Sequence, residues 1–257
     1  LSATALVSVR VDNQPPFDEQ TAPARVLAET GGDVYTTTGE LHLYFPPHAF
    51  GSDARVTIDA VDPVAVPATV PSGPFVTGDQ HTFNAANVEE NRNFKVDATL
   101  KYVTDHAYVW VEDGVSFNSR DLHKLADTFE THIYPTVRDY FGSEWLPGID
   151  GDPRLHILFA RDLGLSIAGF FSSADEYPPP AQEFSNAHEM FFVNADYPQL
   201  RRSFTYGLLA HEFQHLIHWN QDRNEDVWLN EGLSELAAFI AGYDLGGYDT
   251  SFSTDTD

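Results

Sequence analysis

The sequence contains no cysteine, few basic residues and no long apolar run. Without cysteine it has neither a disulfide scaffold nor a cysteine nucleophile. Lysine and arginine number 14 against 39 acidic residues, which gives a formal net charge of -25 at pH 7. Nucleic acids and anionic membranes require clustered cations, so neither is expected as a partner. No segment approaches the ~20 apolar residues of a membrane span, and we predict none.

The composition is that of a globular protein, because 42% of the 257 residues are hydrophobic and 13% are aromatic. Residues 1–90 hold much of the proline and glycine, and short β-like runs occur at 5–11, 40–45 and 55–61. We therefore predict a β-rich accessory or pro-region over residues 1–90 and a second domain over residues 91–257.

The second region shows clearer periodicity. Residues 94–102 alternate between apolar and polar types, which predicts a half-buried strand, and residues 108–112 predict the next one. Asn118 or Ser119 can cap a helix that Pro135 should kink or split. Three more strands are predicted at 154–160, 166–172 and 190–195.

The most informative motif is His211-Glu212-Phe213-Gln214-His215. On a helix, residues four apart lie on one face, so His211 and His215 can bind one metal ion while Glu212 lies beside them. Chance would produce this HExxH pattern roughly 0.03 times in a chain of this composition. The helix also carries apolar residues on opposite sides, so it is expected to be buried on both. We predict a zinc site with an adjacent general base.

A zinc site needs a third protein ligand, and several acidic residues follow the motif. Glu231 and Glu235 lie one turn apart if residues 228–242 are helical. Asp222, Glu225, Asp226 and His218 are the competing candidates. Glu231 is favoured because it shares a helix face with a second carboxylate. The apolar residues Leu229, Leu233, Leu236, Ala237 and Ile240 are expected on the opposite face.

These two segments resemble the gluzincin clan of metallopeptidases, in which an HExxH helix is followed by a helix that bears a glutamate ligand. Within that clan the chain is similar to secreted bacterial peptidases of the hyicolysin and immune inhibitor A-like kind. The resemblance covers residues 94–245 and rests on HEFQH and on the WLNEG segment at residues 228–232. A metzincin would have Gly at position 218 and His at position 221, where this chain has His218 and Gln221.

The resemblance implies an α+β fold with a zincin-like catalytic domain. That domain would combine a mixed twisted sheet, an active-site helix and a glutamate helix, preceded by the β-rich N-terminal region. His211, His215 and Glu231 would bind Zn2+, and Glu212 would act as the base. Glu235 would accept a hydrogen bond from a ligand imidazole, with Asn230 nearby as a cap or backbone anchor.

The resemblance also implies a peptide or protein substrate bound as an added strand along an exposed sheet edge. Ala168, Gly169 and Phe170 are the candidate substrate-binding residues, and glycine permits close approach. We expect a secreted zinc endopeptidase whose signal peptide has been removed, since Leu1 stands where Met would begin a chain. An aminopeptidase of the same clan and a catalytically inactive zinc-containing binding or adhesion module remain as alternatives.

Several further residues have less specific signals. The acidic loops at 150–152 and 222–226 could bind Ca2+, although solvated loops are the preferred interpretation. His156 is interpreted as structural, and Glu189 as a strand residue rather than a substrate-amine ligand. The tail at 246–257 lacks apolar periodicity, so an incomplete catalytic unit is expected. Tyr206, Tyr243 and Tyr248 are the candidate oxyanion donors.

Overall fold

The computed structural model describes residues 73–196, 200–223 and 225–243, together with the backbone of five earlier strands. The chain divides into two units, Leu1–Thr69 and Val70–Asp257. In the first unit, β1, β5 and β2 form one sheet and β3 pairs with β4. These strands are β1 (Val7–Asp12), β2 (Arg25–Val26), β3 (Gly32–Tyr35), β4 (His42–Phe45) and β5 (Ala54–Ala60). β1, β4 and β5 coincide with the three predicted runs, whereas β2 and β3 were not predicted.

The second unit is built on a six-stranded mixed sheet with the order β10-β11-β9-β8-β7-β6. β8, β9 and β11 are parallel, and the other pairs are antiparallel. The strands are β6 (Gln80–Asn87), β7 (Arg92–Val103), β8 (Ala107–Glu112), β9 (Leu155–Ala160), β10 (Gly169–Phe171) and β11 (Met190–Asn194). β6 pairs along its whole length with β7, so this sheet begins before residue 90, where the sequence analysis placed the boundary.

Both faces of the central strands are buried. All six residues of β9 are buried, as the continuous apolar run predicts for a central parallel strand. Along β9, Ile157 and Phe159 belong to the core beneath the helices, while Leu158 and Ala160 belong to a second core on the other face. This alternation assigns each polar residue on these strands to one face or the other.

The first helical segment covers the helix-side core and is broken in the middle. It consists of α1 (Ser119–Thr128), a π-helical turn (Phe129–Ile133) and α2 (Tyr134–Phe141). The Asn118 side chain caps α1 by accepting hydrogen bonds from the N–H groups of Arg120 and Asp121. Pro135 lies in the first turn of α2, directly after the π-helical turn, so the regular α-helix is interrupted next to this proline as predicted.

Two further helices complete the unit. α3 (Ser203–Gln221) has buried residues on both sides, as predicted, and packs against β10 and β11. α4 (Val227–Ile240) packs along α3. The buried residues of α4 are Ser234, Ala237 and Ala238, so only Ala237 of the apolar set is buried, and Leu236 is exposed. Small side chains let the two helices approach closely. None of the described helices has the length and apolar character needed to cross a membrane.

Candidate metal centre

The structure brings together the three residues that the sequence analysis selected as ligands. His211 and His215 lie one turn apart on α3, with their Nε2 atoms 3.0 Å from each other. The carboxylate of Glu231 on α4 lies 3.5 Å from Nε2 of His211 and 3.7 Å from Nε2 of His215. Ligand atoms bound tetrahedrally to zinc at 2.0–2.2 Å lie about 3.3–3.6 Å apart. The donor atoms of the three residues, 3.0 to 3.7 Å apart, therefore lie near the spacing of ligands on a single zinc ion.

The protonation states of the two imidazoles also suit a metal. The pKa of His211 is lowered to about 3, because burial and the charge of His215 both oppose protonation. Burial likewise lowers the pKa of His215. Both rings are therefore neutral at pH 7, and each neutral ring keeps one nitrogen lone pair for coordination. Glu231, whose side chain is 55% exposed, supplies the anionic donor.

Hydrogen bonds from α4 fix the orientation of the His215 ring. Its Nδ1 lies 3.1 Å from Oδ1 of Asn230 and 2.9 Å from the hydroxyl of Ser234, which itself donates to Oε1 of Gln214. An N–H on Nδ1 leaves the lone pair on Nε2, the atom that faces His211 and Glu231. Asn230 is therefore not a helix cap; α4 begins after Asp226. Ser234 was not predicted, although its position three residues after Glu231 marks the same helix face.

Glu235 lies close to the other imidazole. Its Oε1 is 3.6 Å from Nδ1 of His211, slightly beyond hydrogen-bond distance. Nδ1 of His211 is buried and has no partner within hydrogen-bond distance. The predicted pairing between Glu235 and a ligand imidazole is thus present as a close approach rather than as a formed bond.

Glu212 is enclosed beside the two histidines. Glu212 is only 3% exposed, and one of its carboxylate oxygens has no hydrogen-bond partner. Burial, followed by the charge of Glu231, raises the pKa of Glu212 to about 8, while the backbone N–H of Phe171 lowers it. This carboxyl can therefore exchange a proton near neutral pH, which is the property of a general base.

β10 forms the edge of the sheet next to α3. The N–H of Asn194 donates to the carbonyl of Ala168, so the backbone groups of Ala168 and Phe170 point toward β11. Those of Gly169 and Phe171 point outward, in agreement with the bond from Phe171 to Glu212. A Cβ at Gly169 would lie 2.5 Å from the carbonyl oxygen of Phe192, so the close approach requires glycine. The ring of Phe170 stacks on Phe192 instead of facing α3.

A pocket of about 300 Å³ opens beside His215 and Glu231. Its wall includes Phe171 from the sheet edge, His218 and Trp219 from α3, and Glu231 from α4. Of the rival ligands, His218 and Asp222 line this pocket but do not join the group formed by His211, His215 and Glu231. Glu225 lines the pocket as well, and Asp226 precedes α4.

The predicted oxyanion donors are placed elsewhere. The rings of Tyr206 and Tyr243 stack on each other with centroids 5.3 Å apart, and neither lines the pocket. Tyr248 lies outside the described residues. The two described candidates therefore do not reach the pocket beside His215 and Glu231.

A second group of potential ligands consists of Asp150, His156 and His188. The Asp150 and His188 side chains are linked by a 2.6 Å hydrogen bond from Nδ1. The indole N–H of Trp110 donates to Nδ1 of His156 over 3.0 Å. Because an indole can only donate, the proton of neutral His156 resides on Nε2. That nitrogen has no lone pair for a metal, so this donor set does not fit one.

The same group corrects the interpretation of the first acidic loop. The side chains of Asp150 and Asp152 are only 1% and 7% exposed, so residues 150–152 are not a solvated loop. His156 is fully buried, which agrees with a structural role. Glu189 immediately precedes β11, is buried, and does not line the pocket beside the metal ligands.

Comparison with known proteins identifies one type of relative. The neutral metalloprotease ShpI of Staphylococcus hyicus is 28% identical to this chain over 175 residues. The alignment covers 61% of this chain, which spans only 39% of the length of the staphylococcal protein. No family model matches the chain. The similarity is partial, and it relates the chain to the metallopeptidases.

Proposed function

We propose that this protein is a zinc-dependent endopeptidase with a zincin-like catalytic domain. The observation that carries the proposal is the convergence of His211, His215 and Glu231 on one point, with Glu212 enclosed beside them. The partial similarity to a neutral metalloprotease supports the same class of activity. Such an enzyme hydrolyses peptide bonds in proteins, and we propose that it acts outside the cell.

The presence of a base distinguishes this arrangement from a purely structural metal site. A structural zinc site closes all four positions with protein ligands, whereas three ligands leave one position free. A zinc ion held here would supply an activated water and polarise the substrate carbonyl. Glu212 would accept a proton from that water and pass it to the leaving amine. A nearby cation would favour the ionised form of Glu212, which its burial alone disfavours.

The edge strand β10 is suited to hold the substrate backbone. A peptide added antiparallel to this edge would pair with the outward groups of Gly169 and Phe171. The N–H of Phe171 is already used by Glu212, which leaves both groups of Gly169 and the carbonyl of Phe171. Ala168 and Phe170, which were predicted to bind the substrate, would instead support the edge strand by pairing with β11.

The aminopeptidase alternative requires a group that binds a free amine next to the metal. Glu189 was the one candidate for that role, and its carboxylate lies away from the pocket, bonded to the N–H of Ile149. This position favours cleavage within a chain over removal of its first residue.

The decisive experiment replaces the base while leaving the ligands in place. In Glu212→Gln, zinc should remain bound at one equivalent, while kcat should fall at least about a hundredfold, as expected for loss of a general base. Glu183→Gln, in an exposed loop, is the matched control and should behave like the parent. Near-normal turnover by purified Glu212→Gln would reject the mechanism.

A peptide substrate with a blocked amino terminus separates the three candidate functions. An endopeptidase cleaves it internally and produces two fragments that mass spectrometry identifies. An aminopeptidase leaves it intact but trims the unblocked peptide from its first residue. A binding module hydrolyses neither, and that result for the zinc-loaded parent would contradict the proposed activity.

A further inference from the structure

A third histidine follows the two candidate ligands on α3. His218 lies three residues after His215 and seven after His211, so the three side chains share one face of the helix. Residues three apart on a helix are neighbours, with Cβ atoms about 5–6 Å apart. His218 nevertheless stands outside the metal-sized group formed by His211, His215 and Glu231. The fold therefore places an imidazole next to the candidate zinc site without using it as a ligand.

The surroundings of His218 do not explain why this residue is a histidine. It is only 8% exposed, and its Nδ1 is enclosed without a hydrogen-bond partner. A buried polar atom without a partner costs free energy, and nearly all such atoms in native proteins are paired. An apolar side chain of similar size would fill the same space without that cost. Packing alone therefore gives no reason for an imidazole at this position.

The burial of Nδ1 determines which nitrogen of His218 can meet a ligand. Because Nδ1 is enclosed, a polar contact between this ring and a molecule in the pocket has to be made through Nε2. A proton on Nε2 leaves only a lone pair at Nδ1, and buried N–H groups without an acceptor are rarer than buried acceptors without a donor. The favoured form of the ring therefore carries its N–H on Nε2, and it offers a hydrogen-bond donor to the pocket.

The pocket contains the groups that a peptide bond would meet during hydrolysis. His215 and Glu231 line it together with His218, and Phe171 lines it from the sheet edge. The N–H of Phe171 is bonded to Glu212, the proposed base. In a space of about 300 Å³, a peptide group that lies between the candidate ligands and the sheet edge is also next to His218. The donor on Nε2 therefore faces the place where the substrate would react.

Hydrolysis of a peptide bond creates negative charge on the carbonyl oxygen as water adds to the carbonyl carbon. A preorganised donor aimed at that oxygen stabilises the transition state, and removal of one such donor costs roughly 10²–10³ in kcat. We propose that His218 donates a hydrogen bond from Nε2 to this developing oxyanion. The inference rests on the proposed endopeptidase activity. It supplies the donor that Tyr206 and Tyr243, which do not line the pocket, cannot provide.

Two substitutions distinguish an oxyanion donor from a structural histidine. His218→Leu removes the N–H but fills the buried space, so zinc should remain at one equivalent while kcat falls about a hundredfold and KM changes less than about threefold. Because the unpaired Nδ1 is also removed, the urea midpoint should stay the same or rise. His218→Gln can present an amide N–H and should recover part of kcat. The matched control is His123→Leu, on α1 and outside the pocket, which should keep the parent's kcat, KM and zinc content.

Binding of a phosphonate peptide gives a readout that does not depend on turnover. Its charged phosphoryl oxygen imitates the developing oxyanion, so calorimetry on the zinc-loaded proteins should show a Kd at least about tenfold weaker in His218→Leu than in the parent.

The outcomes separate this inference from the proposed function. Cleavage by the parent with equal kcat and equal phosphonate affinity in His218→Leu would overturn the role of His218 and leave the endopeptidase in place. A rise in KM alone, a loss of zinc or a lower urea midpoint in His218→Leu would also overturn it, in favour of substrate binding, metal binding or a structural role respectively. A zinc-loaded parent that cleaves no peptide would reject the proposed function itself, and this inference with it.

Discussion

Two pairs of histidines each lie beside a carboxylate in this protein, and they differ in which ring nitrogens are already hydrogen-bonded. In the pair His211 and His215, the Nε2 atoms face each other and Glu231, while Asn230 binds Nδ1 of His215. In the pair His156 and His188, Trp110 donates to one ring and Asp150 accepts from the other. The same residue types therefore form a candidate metal centre in one place and a hydrogen-bonded structural group in the other.

The surrounding chain explains this difference. Helical spacing turns two imidazoles of α3 toward one point and brings a flexible, half-exposed carboxylate from α4 to complete the set. At the other site the rings stack with centroids 4.0 Å apart and planes tilted by 14°; His156 lies on β9, and His188 lies two residues before the neighbouring strand β11. Stacked rings cannot both direct a nitrogen at one ion. Residues of ligand type that lie close together therefore form a metal site only if each of them has a free lone pair.

The strongest test of the comparison removes the carboxylate from each pair. Glu231→Ala should lose zinc. Its zinc affinity should fall by more than the roughly 10–100-fold that is typical when a residue that only supports a ligand is removed. Asp150→Ala should keep one equivalent of zinc, as should Asp222→Ala. Metal content after dialysis against buffered zinc provides the measurement. Equal zinc in Glu231→Ala and Asp222→Ala would disprove the ligand assignment, and loss of zinc in Asp150→Ala would contradict the contrast between the pairs.

The second test measures stability at the structural pair. Asp150 accepts hydrogen bonds from Nδ1 of His188 and from the N–H of Asp152, at 2.6 and 2.8 Å. Asp150→Ala would leave both donors unpaired in the interior, so the free energy of unfolding should fall by about 3–5 kcal/mol. Asp150→Asn keeps an acceptor oxygen and should cost less. Urea unfolding at constant zinc gives both values, and a loss below 1 kcal/mol for Asp150→Ala would show that the bonds are unimportant.

A smaller effect is expected from the residue that orients His215. Asn230→Ala removes the acceptor at Nδ1 and should weaken zinc binding by about 10–100-fold without changing the ligands. Asn230→Asp restores an acceptor and should recover most of the affinity. Competition with a zinc-binding dye measures both variants. Unchanged affinity in Asn230→Ala would indicate that Ser234, at 2.9 Å from the same nitrogen, suffices alone.

The sequence allowed the metal helix and the glutamate helix to be predicted because each depends on local spacing. HExxH places two imidazoles on one face wherever the segment is helical, and the break at Pro135 follows from its missing N–H. Long-range partners were not predictable in this way. Ser234 and Asn230 meet His215 only after α4 packs on α3, and the contact between Trp110 and His156 depends on the register of β8 and β9.

Burial of charge was the other feature that local patterns did not reveal. Asp150 and Asp152 resemble a solvated loop in sequence, yet Tyr108 donates a 2.6 Å hydrogen bond to Asp152 from the adjacent strand. Likewise, β6 was missed because its residues Gln80–Asn87 are largely polar and pair with β7 through the backbone. In both cases the tertiary environment decides the role of a polar residue.

The last prediction concerns the effect of acid on the structural pair. Burial, followed by the charges of His188 and His81, holds the pKa of His156 well below its ordinary value of 6.5. As pH falls below 6.5 the unfolded chain takes up a proton at this residue and the folded protein does not, so stability is lost on acidification. The loss is limited to about 1.4 kcal/mol per pH unit for this group. The titratable groups that face it are Asp150, His188, His81 and Tyr108.

His156→Asn tests this contribution with little change in shape, since its side-chain oxygen can still accept the bond from Trp110. The variant should lose less stability than the parent between pH 6.5 and pH 5.5, by up to about 1.4 kcal/mol. Both proteins should be compared by urea unfolding at the same zinc concentration, so that proton-driven release of zinc affects them equally. Parallel pH profiles of the variant and the parent would mean that His156 takes up its proton in the folded protein. The hydrogen bonds of His156 and His188 would then not explain how this pair differs from His211 and His215.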